Sequence, residues 1–387
     1  MSEATASPRP ANAPLELDDR CRCGNVLFLD NATCLACGAG TGFCPACHKV
    51  TSYTETTDGR GQRQCDHCGA LLRPCANQIE SVCNRHVLAE STDTLCDACI
   101  HNEVIPDLSI DGHRERWAAL EAAKRRVFRT LDRLGLPRYR PDGMGAFGNS
   151  QTRFDSALPL IFDFKADALP DAGLWRPMAN GEKVYTGHAN GRITINVKEA
   201  DSVERERLRV DMNEGHRTLV GHFRHELGHY YWDLLVRDRD EATCIEHFGD
   251  HRQPDYASAL ERYYAEGPAA DWPAHFISAY ASMHPWEDFA ETFALYLNIN
   301  ATLHFAAQLG FSLDNAAPQS LNTSDPNAQR PAIESRVAAF VDLGVRLNEL
   351  ARNNGLQDWM PQPIVPPVIA KLAYIDDLTA RVSGATA

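Results

Sequence analysis

The chain has 387 residues, of which 44% are hydrophobic and 23% charged, a globular composition long enough for two or three domains. Its net charge of −14 disfavours broad electrostatic binding to nucleic acid or to anionic membranes. No run of about 18 apolar residues is present, so no membrane-spanning helix is predicted.

The first 18 residues are rich in alanine, proline and serine, and they lack the apolar segment of a secretory signal peptide. We therefore predict a disordered leader over residues 1–18 and a protein that stays in the reducing cytoplasm. In that compartment thirteen cysteines favour metal binding over disulfides. One of them, Cys244, stands alone and is predicted to be a small buried hydrophobe.

The other twelve cysteines fall between residues 21 and 99 and come in pairs. Grouped in chain order they form three sets of four, which suits the tetrahedral Cys₄ arrangement of a structural zinc site. The first set is Cys21, Cys23, Cys34 and Cys37, the second is Cys44, Cys47, Cys65 and Cys68, and the third is Cys75, Cys83, Cys96 and Cys99. An interleaved grouping is an alternative, and His86 or His101 could replace a cysteine of the third set.

We predict that residues 19–104 form a zinc-ribbon region with about three structural zinc ions. Aliphatic residues are sparse there, so zinc would supply the folding energy that a hydrophobic core normally supplies. Structural metal is the main interpretation, and ribbons that also dock a protein partner are the alternative. A redox function is disfavoured, because no βαβ pattern surrounds the C-x-x-C pairs.

Helical and strand periodicity follows the cysteine block. Residues 112–134 repeat apolar positions every three or four residues, which predicts an amphipathic helix. Residues 158–165 alternate as a strand does, and Pro159 favours a sheet edge. Runs 184–188 and 192–197 flank an Asn-Gly pair, which predicts a hairpin. The resulting small sheet precedes the most informative helix.

That helix, residues 218–236, carries the motif His225-Glu226-Leu227-Gly228-His229. Histidines four apart share one helix face, so both imidazoles can reach one zinc ion. Glu226 is then placed to accept a proton from a zinc-activated water. Gly228 is interpreted as leaving room beside the metal. His222, like other histidines outside the motif, is interpreted as an ordinary surface or core residue.

A second helix begins at Pro285 and carries Glu287 and Glu291 on one face. A catalytic zinc needs a third protein ligand, which we predict to be Glu287. Glu291 would accept the outer N–H of a ligating histidine; the reverse assignment of the two glutamates is the alternative. Asp288 is predicted to be solvated. Asp233 either orients a ligand or forms an ordinary salt bridge.

The pattern H-E-x-x-H followed by E-x-x-x-D/E resembles the gluzincin metallopeptidases, the thermolysin-type clan. Its E-x-F-A-E form resembles anthrax lethal factor and its relatives. From residue 20 onward the chain resembles the bacterial "putative zinc-binding metallopeptidase" family with an N-terminal zinc-ribbon domain. One departure is the 57 residues between His229 and Glu287, more than in compact thermolysin-like enzymes.

The resemblance to lethal factor implies a further catalytic residue. That pattern has a tyrosine seven residues before the zinc glutamate, and Tyr280 occupies this position here. A phenol beside zinc can donate a hydrogen bond to the oxyanion of the transition state. Four aromatic or imidazole side chains compete for this role: Tyr256, Tyr263, Tyr264 and His284.

These patterns together predict an α+β protein. A cysteine-rich zinc-ribbon domain precedes a mainly helical, zincin-like metallopeptidase domain over residues 105–387 with a small β-sheet. The predicted function is zinc-dependent hydrolysis of a peptide or protein substrate, with one catalytic zinc. A non-catalytic ribbon adaptor that binds partner proteins is the first alternative. A nucleic-acid-binding ribbon protein is a weaker alternative, given the acidic balance.

Overall fold

A computed structural model describes residues 19–57, 59, 61–147, 158–167, 184–203, 218–311, 331–360 and 363–383. The predicted leader lies outside these residues. Within them the chain forms seven α-helices and three small β-sheets, which confirms the predicted α+β class. None of these helices is both long and apolar enough to cross a membrane.

The first sheet belongs to the cysteine block and is antiparallel throughout. Its five strands follow each other in space as in sequence: β1 (Thr41–Cys44), β2 (Lys49–Glu55), β3 (Arg63–Cys65), β4 (Leu71–Pro74) and β5 (His86–Leu88). Cys44 and Cys65 are the last residues of β1 and β3, and Cys47 and Cys68 lie in the turns that follow these strands. Gly38 and Gly69, each directly after a cysteine, have φ of 73° and 75°. A side chain is strained in this left-handed conformation, so glycine suits these turns.

The third cysteine set lies at the junction with the rest of the chain. Its four cysteines are buried and belong to the same hydrophobic core as helix α1 (His113–Arg133). Strand β6 (Asn102–Val104) begins three residues after Cys99 and pairs in parallel with β9 (Ile161–Lys165). The ribbon region and the downstream region therefore share one core and one sheet.

That second sheet has four strands in the order β10, β11, β9, β6. Strands β10 (Gly187–Ala189) and β11 (Arg192–Asn196) form the predicted antiparallel hairpin, and Asn190 and Gly191 turn with φ of 48° and 81°. The predicted edge position of β9 is wrong, because β9 lies between β11 and β6. Pro159 precedes the first paired residue, so it removes no hydrogen bond from the ladder. The third sheet pairs β7 (Arg138–Tyr139) with β8 (Ala146–Phe147).

Helix α2 carries the histidine motif and α5 carries the two glutamates. The helices after α1 are α2 (Leu219–Leu235), α3 (Glu241–Phe248), α4 (Tyr256–Glu266), α5 (Pro285–Gln308), α6 (Ile333–Asn353) and α7 (Pro366–Ser383). The Thr218 hydroxyl caps α2 by accepting a hydrogen bond from the Gly221 amide at 2.9 Å. Helix α5 begins at Pro285, as predicted, and extends to Gln308.

Helices α2 and α5 cross closely at Gly228. A Cβ added there would lie 2.7 Å from Cα and 2.9 Å from the carbonyl oxygen of Ala290. The residue therefore serves the helix–helix contact, which corrects the interpretation that it leaves room beside a metal. Because the backbones approach so closely, the glutamates of α5 face the histidines of α2.

Candidate metal centre and active site

Three predicted ligand atoms from the two crossing helices converge on one point. Nε2 of His225 lies 3.1 Å from Nε2 of His229 and 3.1 Å from Oε2 of Glu287. The remaining side of the triangle, from Nε2 of His229 to Oε2 of Glu287, measures 3.3 Å. His229 and Glu287 are buried, and His225 is partly buried.

This triangle has the dimensions of a zinc site. Zinc–ligand distances of about 2.0–2.1 Å in a tetrahedron place neighbouring ligand atoms about 3.3 Å apart. The buried Oε2 of Glu287 makes no well-formed hydrogen bond among the described residues, and its close polar neighbours are the two histidine nitrogens, so a cation among the three atoms would compensate its charge. Burial alone would raise the pKa of Glu287, but the two histidines outweigh burial and hold the pKa well below its usual range. Two imidazoles and one ionised carboxylate are a donor set that fits zinc.

Two of the three predicted ligand side chains, His225 and Glu287, are held by hydrogen bonds on the side away from the triangle. Nδ1 of His225 lies 2.6 Å from Oε1 of Glu291, whose Oε2 accepts a hydrogen bond from the Ser278 hydroxyl at 2.8 Å. The Tyr256 hydroxyl donates to Oε1 of Glu287 at 2.8 Å. Glu287 therefore lies against Nε2 of both histidines, whereas Glu291 lies against Nδ1 of His225.

Tyr280 lies beside this site, in a short 3₁₀ turn over Tyr280–Ser282. Its ring centroid is 6.1 Å from that of His225. Burial and the charge of Glu287 raise the pKa of Tyr280, so the phenol keeps its proton and remains a hydrogen-bond donor. Tyr256, one of the predicted competitors, is committed to Glu287 instead.

Glu226 has two unlike oxygens. Oε1 lies 3.2 Å from Nε2 of His222, one helical turn earlier on α2. Oε2 is buried and has no hydrogen-bond partner among the described residues. Burial would raise the pKa of Glu226, but His222 outweighs burial and lowers it, so the carboxylate is ionised. An ionised carboxylate with one free oxygen is suited to accept a proton.

His222 was interpreted as an ordinary histidine, and the structure places it against Glu226. Its other nitrogen, Nδ1, contacts Oε2 of the buried residue Glu199. Burial would lower the pKa of His222, but the two carboxylates outweigh it and raise the pKa to about 9. The four-residue spacing of His222 and Glu226 was a usable signal in the sequence, whereas nothing in the sequence pointed to Glu199.

The second histidine ligand has a different environment from the first. Trp286 stacks on His229 with ring centroids 3.7 Å apart and an interplanar angle of 29°. Asp233, predicted to orient a ligand or to form a salt bridge, pairs with Arg237 at 2.6 Å. Its other oxygen lies 3.9 Å from Nδ1 of His188. The buried Nδ1 of His229 has no hydrogen-bond partner within the described part of the chain.

Asp288, predicted to be solvated, is fully buried. Its Oδ2 lies 2.6 Å from Nζ of Lys371 on α7, and the same ammonium donates to the backbone oxygen of His275 at 3.0 Å. The sequence placed Asp288 beside two site glutamates but gave no sign of a lysine 83 positions later. The ion pair fixes the start of α5, where Glu287 lies.

The cysteines assemble as three separate clusters, in the order-based grouping rather than an interleaved one. The sulfur atoms of each set lie within 4.8 Å of one another, and all thirteen cysteines are free thiols. Close sulfur pairs measure 3.5–4.0 Å, from Cys21–Cys37 to Cys47–Cys65. Zinc–sulfur bonds of about 2.3 Å in a tetrahedron give separations of about 3.8 Å.

Neither histidine alternative joins the third cluster. Nδ1 of His86 lies 3.2 Å from the Phe43 carbonyl oxygen, and Nδ1 of His101 lies 2.8 Å from that of Leu160. Cys244 is buried, as predicted.

Comparisons with known proteins agree with this architecture. Residues 113–378 match the family described as "Putative zinc-binding metallo-peptidase", and residues 19–110 match a zinc-ribbon domain. Uncharacterized proteins of Mycobacterium bovis and of two Mycobacterium tuberculosis strains are 33% identical over 365 residues, covering 93% of this chain and 94% of each relative. No solved structure matches the chain. The chain therefore belongs to the zinc-binding metallopeptidase family described by that model, and it carries the N-terminal zinc ribbon.

Proposed function

We propose that the protein is a zinc-dependent peptidase whose catalytic zinc is held by His225, His229 and Glu287. The observation that carries the proposal is the triangle of their ligand atoms, with sides of 3.1–3.3 Å. Family membership supports a zinc hydrolase in general, and the site supports the detailed assignment.

A bound zinc ion supplies Lewis acidity, which makes a water molecule more acidic and withdraws electrons from a carbonyl group. Glu226 accepts the water proton on its free Oε2 and passes it to the leaving amine. Tyr280 keeps its proton and donates a hydrogen bond to the developing oxyanion. Glu291 holds the ring of His225 in one orientation. Asp233, which lies beside His188, is proposed to help orient the ligand His229.

We further propose that the three cysteine clusters hold three structural zinc ions, so that the loaded protein contains four. Zinc analysis of the purified protein, with anomalous scattering to locate each ion, tests this count. Three thiolate-bound ions plus one at the histidine motif are expected. A catalytic site that stays empty in zinc-replete protein would contradict the ligand assignment.

The peptidase proposal is tested with Glu226→Gln and a broad peptide library. The amide keeps the size of the side chain but cannot accept a proton, so turnover should fall by about 10²–10⁴-fold. Zinc content should remain that of the wild type, because Glu226 is not a ligand. Equal cleavage by both proteins would refute the role of Glu226. A zinc-loaded wild type that cleaves no peptide would instead favour the adaptor alternative, in which the ribbons bind a partner protein.

A further inference from the structure

The carboxylate of Glu226 is connected to the four-stranded sheet through a chain of polar contacts. The backbone N–H of Asn196, at the end of β11, donates to the Thr186 hydroxyl at 3.1 Å. That hydroxyl contacts Oε1 of Glu199. The other oxygen of Glu199 contacts Nδ1 of His222, and Nε2 of His222 lies 3.2 Å from Glu226. This chain of contacts ends at Glu226, which is not one of the three proposed ligands.

We infer that His222 and Glu199 are positioning residues that fix the carboxylate of Glu226 for proton transfer. The inference rests on the proposed function, since it assigns their effect to the proposed general base. Both residues are assigned an effect through Glu226 and no contact of their own with substrate or metal.

The geometry explains why two residues are needed. A histidine one turn away on the same helix can reach Glu226 but can also rotate about its own side-chain bonds. Glu199 contacts the opposite nitrogen of the ring, and this second contact defines the ring orientation. Glu199 is itself held in place, because its side chain is buried and lies in the short turn Val197–Ala200 that directly follows β11.

The two oxygens of the Glu226 carboxylate therefore have different roles. Oε1 of Glu226 is occupied by His222, which limits rotation of the side chain, and Oε2 remains without a partner among the described residues. A general base must lie within about 2.6–3.2 Å of the proton that it accepts, and small errors in position are costly. Misplacement of a catalytic group by about 1 Å can reduce turnover by about 10²-fold.

Steady-state kinetics of single and double variants tests the inference. His222→Ala and Glu199→Ala should each lower kcat by about 10–10²-fold, with KM and zinc content unchanged. The double variant should fall no further than His222→Ala alone, because Glu199 acts through His222. Glu199→Gln keeps an acceptor at the same place and should recover part of the loss. His247→Gln is the matched control, since this exposed histidine stacks on Tyr374 of α7.

Losses that multiply in the double variant would overturn the inference, as would an effect confined to KM or a loss of the catalytic zinc. If the alanine variant does not fold, His222→Gln takes its place. A wild-type kcat in His222→Gln would also overturn the inference.

A readout independent of turnover separates this inference from the proposed function. Crystal structures of zinc-loaded wild type and Glu199→Ala should show the Glu226 carboxylate in one conformer and in several, respectively. An unchanged, singly occupied Glu226 in Glu199→Ala overturns the inference even if no peptide substrate is found. Failure of the wild type to cleave any peptide overturns the peptidase proposal and leaves this structural comparison decisive.

Discussion

The close crossing of α2 and α5 makes Gly228→Ala the sharpest test of how the site is built. The added Cβ would lie 2.7 Å from backbone atoms of Ala290, whereas ordinary contact begins at 3.4 Å. Backbone of a packed helix cannot turn aside, so the helices must separate by at least about 0.7 Å. Overpacking of this kind costs about 1–3 kcal/mol, offset by about 0.8–1 kcal/mol of helix propensity gained from glycine to alanine.

The same displacement acts on the proposed zinc site, because its ligands come from both helices. Ligand distances are tolerated only within about 0.2 Å, so a separation of this size should weaken zinc binding by about 10–100-fold. Urea denaturation should show a net loss of up to about 2 kcal/mol in the free energy of unfolding. Zinc content after dialysis against buffered zinc should fall from four ions per chain towards three.

Gly344→Ala on α6 is the matched control. Its added Cβ would also lie 2.7 Å from another atom, but that atom is the terminal methyl carbon of the Met360 side chain, which can rotate away. This variant should keep all its zinc. Its free energy of unfolding should equal that of the wild type or exceed it by up to about 1 kcal/mol. If Gly228→Ala behaves as Gly344→Ala does, the close helix crossing does not set the site geometry.

Three further changes have expected outcomes. Cys99→Ser should lower the stability of the whole protein, because Cys99 belongs to the main core. Cys23→Ser, at an exposed position of the first cluster, should lose zinc with a smaller loss of stability. Calorimetry measures both losses of stability. Tyr256→Phe removes a hydrogen bond to a proposed zinc ligand and should weaken zinc binding about 10-fold or more, measured as zinc content at buffered zinc. Burial lowers the pKa of His101 to about 3, so the unfolded chain, with a histidine pKa of about 6.5, takes up a proton that the folded state does not. The free energy of unfolding should therefore fall by about 1 kcal/mol from pH 7 to pH 5.5 on account of this residue, and His101→Gln should remove that part of the slope in urea denaturation.

Each of these has a contradicting result. Equal stability losses for the two cysteine variants would mean that the third cluster is not part of the main core. Unchanged zinc content in Tyr256→Phe would deny the phenol a role in orienting its carboxylate. An identical pH slope in His101→Gln would show that this imidazole is protonated in the folded state.

Local periodicity accounts for what the sequence predicted well. The four-residue spacing of His225 and His229, and of Glu287 and Glu291, requires only that each segment be helical, and both are. The Asn-Gly pair at 190–191 determines its own turn, because both residues adopt positive φ readily. Cysteine order was sufficient for grouping, since sequential pairs fold locally around each cluster.

Contacts between distant segments were beyond such reasoning. Lys371 pairs with Asp288 across 83 positions, and neither residue has a periodic neighbour that marks the other. The parallel pairing of β6 with β9 joins a segment that precedes α1 in the sequence to one that follows it. Strands this short show too little alternation of apolar and polar residues to predict the pairing. Glu199 reaches His222 only because β11 ends beside α2, which is a property of the tertiary fold.

The buried third cluster has a practical consequence for chelators. If the proposed zinc ions are bound, a chelator that removes zinc from the histidine motif would, at longer exposure, also remove it from the third cluster, whose cysteines share a core with α1. Activity lost after such treatment would then report unfolding as much as removal of the reactive ion. A loss of activity can be attributed to the proposed active site only if it precedes any change in circular dichroism and if adding one equivalent of zinc restores the activity.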